Sequence, residues 1–166
     1  TRGSGHVIEG SGLFDGSSGY LSRTQGTPTN RKVWSVEFIV KHALLGSSRY
    51  YFATTVVSGG SFWINASSSG VIDLRSNTSA GIHWRLTTTQ VFRDTSAYSH
   101  ILYVFDSTQS TANDRQKLYI NGTKVTTFTT QTDPSLNYDP VHIASGVGME
   151  VGHLPEAPNI FNTHYF

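Results

Sequence analysis

Eleven carboxylates and seven histidines are the groups that could drive acid–base or metal chemistry in this 166-residue chain. Glycoside cleavage with retention needs two carboxyls about 5–5.5 Å apart. The four glutamates, Glu9, Glu37, Glu150 and Glu156, stand in separate contexts. Glu37 alternates with apolar neighbours and reads as the wet position of a strand. No Gly-x-Ser-x-Gly elbow presents a serine nucleophile, so the residues predict no enzyme. The histidines show neither His-x-His nor His-x-x-x-His spacing, and His100 is expected to pack or hydrogen-bond within the fold. Asp106, Asn113 and Asp114 share one loop, and Asp94 precedes the strand leading to it. Calcium takes such oxygen ligands, which makes Asp94, Asp106 and Asp114 weak calcium candidates; the simpler role is to close Asx turns. No metal site and no cofactor are assigned, calcium being the one ion these residues leave open. Binding chemistry is better supplied. Sugars are recognised by aromatic faces flanked by amide and carboxylate hydrogen bonds, and Trp63, Tyr138, Asn137 and Tyr98 adjoin polar loops where such a face could open.

These residues must be positioned by strands. Serine and threonine number 41, against four Glu and four Lys, a mix that starves helices and suits pleated sheet. Val33–Lys41 alternates, with Trp34, Val36, Phe38 and Val40 on one face. Ile82, Trp84 and Leu86 share a face opposite His83 and Arg85, so Trp34 and Trp84 belong to the core. Tyr50 and Tyr51 point to opposite faces. His100–Asp106 is apolar on both faces and reads as a strand buried between two layers. Leu118-Tyr119-Ile120, then Asn121-Gly122, then Thr123-Lys124-Val125 form a hairpin on a type I′ turn, because Asn and Gly accept positive φ. The turn pairs Ile120 with Thr123 and Tyr119 with Lys124. The predicted core holds Trp34, Val36, Phe38, Leu102, Val104, Leu118, Ile120 and Val125. Further strands are expected at 50–57, 60–65, 70–74, 115–120, 123–130 and 140–144. Turn signals every 8–15 residues indicate an all-β, antiparallel jelly-roll β-sandwich.

The formal net charge of +1 implies no nucleic-acid or acidic-membrane partner. Cysteine is absent, which removes disulfides and thiolate chemistry. No apolar run approaches 18 residues, so no membrane insertion is expected. Residues 1–12 are Gly/Ser-rich and read as linker, 13–152 as one domain, and 153–166 as a C-terminal tail. The opening Thr1-Arg2-Gly3, without methionine, suggests a processed product or part of something longer.

The run His-Ile-Leu-Tyr-Val-Phe-Asp followed by Leu-Tyr-Ile-Asn-Gly-Thr-Lys-Val resembles the concanavalin A-like lectin/glucanase superfamily, in its laminin G-like and pentraxin-like branch. Leu13-Phe14-Asp15-Gly16 with Gly19–Thr24 looks like that family's opening strand, and Asn30–Lys41 like its second. The wording of Tyr20–Thr24, Asn30–Lys32 and Asp106–Arg115 is similar to a version found in tailed-bacteriophage virion proteins. The resemblance covers roughly residues 12 to 152. Glucanases of the superfamily carry Glu-x-Asp-x-x-Glu on one strand, which this sequence lacks. The resemblance therefore implies a non-catalytic, lectin-like adhesion module on a virion surface, in an extracellular setting: a phage tail fibre, tail appendage or capsid decoration that binds a host-surface glycan or other virion proteins, as a homo-oligomer or within a larger assembly. The alternatives are a structural capsid or tail block without a sugar site and, third, a glycoside hydrolase. Family members finish with a strand beside the opening one. That strand is expected to be missing here, with Phe161, Tyr165 and Phe166 leading towards it or towards a partner.

Overall fold

The computed structural model describes residues 12, 14, 19–42, 45–54, 60–78 and 81–155. Its strands are β1 (Leu21–Thr24), β2 (Val33–Lys41), β3 (Arg49–Thr54), β4 (Ser61–Ala66), β5 (Val71–Thr78), β6 (Gly81–Val91), β7 (Tyr98–Asp106), β8 (Gln116–Ile120), β9 (Thr123–Lys124), β10 (Phe128–Thr132) and β11 (Gly148–Val151). A 3-10 turn, Ala112–Asp114, precedes β8. The strands form two antiparallel sheets: a seven-stranded one in the order β1-β11-β3-β4-β5-β6-β10, and a four-stranded one in the order β2-β7-β8-β9. The fold is the expected all-β sandwich.

Period-two alternation sends one face of each sheet into the shared core. Phe62, Ile64, Ala66, Ile72, Leu74, Trp84 and Leu86 enter from the large sheet, and Val40, Ile101, Tyr103, Phe105, Leu118 and Ile120 from the small one. Trp34 packs near-parallel to Phe105, with centroids 5.1 Å apart, and edge-on to Phe62 at 5.2 Å. A polar bridge crosses between the sheets: the Tyr103 hydroxyl donates to Gln116 Oε1 at 3.3 Å, and Gln116 Nε2 donates to the Thr132 carbonyl at 2.8 Å. The hairpin forms as read, pairing Ile120 with Thr123 and Tyr119 with Lys124. Asn121 and Gly122 both have positive φ, at 51° and 78°.

Two expectations are corrected. Leu102 and Val104 are not core: β7 sends Ile101, Tyr103 and Phe105 inward, while Leu102 and Val104 lie half-buried on the outer face of the small sheet. An apolar run on both faces marks a buried strand only when both faces are covered, and here one is not. Residues 140–144 form turns rather than a strand. The segment is nevertheless anchored, since Gln25 Nε2 donates to the His142 carbonyl at 3.0 Å and His142 is buried. Strand β11 lies between β1 and β3, beside the opening strand; the further strand expected after residue 152 falls outside the described residues. Beyond β11, Leu154 is buried against Ala53 and Trp63, so the packed unit continues past residue 152. Residues 1–11 and 156–166, including Phe161, Tyr165 and Phe166, lie outside the described residues.

Candidate functional site

The outward face of the seven-stranded sheet gathers most of the polar chemistry. Strand register aligns Ser22, Glu150, Ala53, Trp63, Arg75, Arg85 and Thr132 in one row across all seven strands. A neighbouring row carries Tyr50, Asn65, Asp73, Thr87 and Thr130. Directly opposed residues share a face and have Cβ atoms about 5 Å apart, so Arg75 and Arg85 confront each other. Arg85 Nε donates to Asp73 Oδ1 at 2.8 Å, and the Thr87 hydroxyl donates to the same oxygen at 2.6 Å. The Arg75 guanidinium lies over the Trp63 ring, 4.5 Å from its centroid. Arg75 Nε and Asn65 Oδ1 are buried without a hydrogen-bond partner. At the β1 end of the face, the His153 ring stacks on Tyr20 at 4.7 Å and its Nδ1 bonds the Glu150 carboxylate. Tyr20 is 48% exposed and offers an open ring.

The residues expected to bind ligand are dispersed. Trp63 does face outward, but it is only 5% exposed, with Arg75 above it and Leu154 and Tyr50 packed against it. Tyr138 lies edge-on to Trp84 at 5.3 Å, on the inner side of the large sheet. Asn137 adopts φ 58° and donates its backbone N–H to the Ser107 carbonyl at 2.7 Å. Tyr98, 63% exposed, begins β7 in the other sheet, with Lys41 Nζ 5.5 Å from its ring centre. His100 bonds within the small sheet, Nε2 to Glu37 Oε1 at 2.6 Å, on the outer face. Sequence reading placed His83 and Arg85 opposite Trp84 but missed Arg75, Asp73, Asn65 and Tyr20. The available signal was the alternation of Asp73 and Arg75 along β5, visible once Leu74 is recognised as core.

The calcium candidates do not form a common site. Asp94 and Asp106 flank opposite ends of β7, about 25 Å apart at 3.3 Å per residue. Each carboxylate already serves its own turn. Asp106 accepts from the Thr108 N–H and hydroxyl and from Gln109 Nε2; Asp94 accepts from the Ser96 N–H and hydroxyl. These donors, the serine and threonine hydroxyls first, hold both carboxyls below their ordinary range. Asp114 lies 3.4 Å from Lys117 Nζ. Among the described residues, no three His, Asp or Glu side chains converge as metal ligands.

Catalytic geometry is likewise tested by register. Glu37 belongs to the small sheet. Glu150 and Asp73 share the outward face of the large one but stand three strands apart, about 14 Å, outside both glycosidase spacings. A separate cleft of about 400 Å³ lies between residues 27–32 and Asp139, Ala144 and Ser145. Its Arg31 and Asp139 neutralise each other, and no aromatic ring lines it.

A model of the concanavalin A-like lectin/glucanases superfamily, of laminin G type, matches residues 15–152. The chain belongs to that superfamily. Solved structures with the concanavalin A-like fold seen here include the native heptameric SAP-like pentraxin of Limulus polyphemus, at 17% identity and a TM-score of 0.54, over 84% of this chain and 61% of that one. They also include the CBM40 of the Ruminococcus gnavus IT-sialidase bound to α2,3 sialyllactose, at 14% identity and a TM-score of 0.54, over 82% and 70%. This concanavalin A-like chain thus spans 61% of the pentraxin's length, and at such identities the likeness is one of fold. No curated protein sequence matches it.

Proposed function

We propose that this domain is a non-catalytic carbohydrate-binding module that takes acidic glycans on the outward face of its seven-stranded sheet. The observation that carries the reading is the direct opposition of Arg75 and Arg85. Like charges facing each other across a strand pair destabilise the sheet, and Asp73 bonds Arg85 of the two, its Oδ1 also taking the Thr87 hydroxyl. A carboxylate bound at the two guanidiniums relieves that repulsion through charge-assisted hydrogen bonds. Asp73 supplies an acceptor for sugar hydroxyls, and the exposed Tyr20 ring, at the β1 end of the face and about 14 Å or more from β5, offers a stacking face to a further sugar of a longer glycan. The sialyllactose held by the Ruminococcus module is a carbohydrate of this acidic class. Display on a virion surface, as a fibre, appendage or decoration, rests on the resemblance of residues 20–24, 30–32 and 106–115 to phage proteins. Several copies on one particle turn weak sites into avid adhesion.

A glycan array followed by titration calorimetry tests this. Sialylated or uronic-acid oligosaccharides are expected to bind and their neutral counterparts not. Arg75→Ala is expected to cost about tenfold or more in affinity while the domain stays folded by circular dichroism. No reducing ends should be released from any bound polysaccharide. Equal binding of neutral and acidic glycans, or none at all, overturns the proposal; the second result favours a structural building block. Turnover abolished by one Glu→Gln change would make the protein a hydrolase.

A further inference from the structure

The two opposed arginines are held by different means. Arg85 is fixed by its Nε–H bond to Asp73 Oδ1 at 2.8 Å. Arg75 has no such anchor: its Nε is buried without a hydrogen-bond partner, and among the described residues no carboxylate pairs with its guanidinium. Asp73, on the same face of β5, is taken by Arg85 and Thr87. A long cation facing a like charge across a strand pair is expected to swing away into water, since repulsion and rotamer entropy both favour it. Arg75 instead lies over the Trp63 ring, 4.5 Å from its centroid. That distance is within the range of a cation–π contact, which is strongest on an indole, and a planar guanidinium also stacks well on the ring. The ring itself is wedged. Trp63 stands between Ala53 on β3 and Arg75 on β5, Leu154 packs against it with Ala53, and Tyr50 meets it edge-on at 6.4 Å. At 5% exposure it has too little open face to stack on a sugar.

We propose that Trp63 is a positioning residue: its indole clamps the Arg75 guanidinium to the sheet, facing Arg85, where an acidic sugar meets both cations. The inference rests on the acidic-glycan reading above and adds to it the residue that holds the cationic pair together. Asp73 aligns one guanidinium through a hydrogen bond, and Trp63 aligns the other through its π face. The choice of an aromatic ring has a consequence for charge. A second carboxylate in the place of Trp63 would order Arg75 equally well but cancel its charge, and with it the pull on an acidic ligand. The indole orders the guanidinium and leaves the charge whole. A side chain ordered beforehand loses no rotamer freedom on binding, so the clamp raises affinity without touching the glycan. Trp63 acts through Arg75.

Two measurements on the intact chain test the clamp. The first needs no glycan. In heteronuclear magnetic-resonance spectra of the arginine side chains, the Nε–H signal that disappears in R75K is expected to carry the upfield ring-current shift of an indole and to lose it in W63L. The second is calorimetric titration with a sialylated trisaccharide. W63L is expected to weaken binding about three- to tenfold, the cost of ordering one long side chain on binding, and W63F, which keeps a ring, recovers most of that loss. In an R75A background W63L costs nothing further, because no guanidinium is left to clamp. Where W63L melts early by circular dichroism, W63F serves in both measurements, with a reduced ring-current shift. An Arg75 signal that the Trp63 variants leave unmoved overturns the proposal, as does an equal loss of affinity in the wild-type and R75A backgrounds. A wild type that binds no acidic sugar defeats the acidic-glycan reading, and the Nε–H shift then decides by itself whether Trp63 holds Arg75.

Discussion

His142 is the residue whose burial has the clearest consequence. Its ring stacks on Phe62 at 5.7 Å and lies 5.3 Å from Trp84, and neither ring nitrogen has a partner. Burial, with a smaller contribution from His83, lowers its pKa from 6.5 to about 3. The folded state therefore keeps it neutral while the unfolded chain takes up a proton below pH 6.5. Stability is complete above that pH and falls as pH drops towards 3, by up to about 1.4 kcal/mol per unit. His42 adds in the same direction: burial, then the Arg49 charge, lowers its pKa. Neutral His42 accepts a hydrogen bond from the Tyr51 hydroxyl, whose own pKa burial pushes up. His142→Phe keeps the stack and removes the two orphaned nitrogens. It is expected to flatten the slope of unfolding free energy between pH 6.5 and 4 in urea titrations while matching or exceeding wild-type stability at pH 7. An unchanged slope would show that other groups govern acid sensitivity.

At the scale of the element, β7 shows what facing means energetically. Ile101 is fully buried and Leu102 half-buried on the other side. Ile101→Ala should cost about 2–5 kcal/mol, whereas Leu102→Ala should cost under about 2; equal losses in denaturant melts would reverse the assigned faces. The β8–β9 turn makes a second case. Asn121 holds positive φ, and its Oδ1 accepts the His100 N–H at 2.8 Å, tying the hairpin to the first residues of β7. Replacing it with Ala loses that bond and strains the turn, for about 1–3 kcal/mol. Gly122→Ala, at φ 78° with nothing within 4 Å of the added carbon, should cost only about 1 kcal/mol. The closing glycine behaves differently. A Cβ on Gly152 would lie 2.7 Å from Phe14 Cδ1, so its lack of a side chain is what lets the Phe14 ring pack there.

For the whole molecule, the sandwich separates its two outer faces by role. The large sheet presents guanidiniums, amides and hydroxyls, and the small sheet Leu102 and Val104 beside the Glu37–His100 pair. Glycan affinity should weaken with added salt, because a carboxylate–guanidinium contact that solvent reaches is screened. Chelation gives a sharper test of integrity. Since Asp94, Asp106 and Asp114 already hold turn donors or Lys117, EDTA should shift neither the melting temperature nor glycan affinity. A melting temperature that falls on chelation and returns with calcium would place a metal among these loops.

The sandwich itself was legible because its signals are local. Alternation in 33–41 and the Asn-Gly turn each depend on a few neighbouring residues, and each resolved as read. The absence of an acid–base pair on one strand was equally plain in the sequence. What alternation cannot say is which of two apolar faces will be covered, and this is how Leu102 and Val104 came to be assigned to the core. Nor can it say when a ring beside polar loops, such as Trp63, will be roofed by an arginine from the next strand. The juxtaposition of Arg75 with Arg85, and the short β11 slotted between β1 and β3, arise from register between strands distant in the chain. Hydrogen-bonded pairing across sheets is decided by the packing of the whole core, so only the tertiary structure brought the candidate site together.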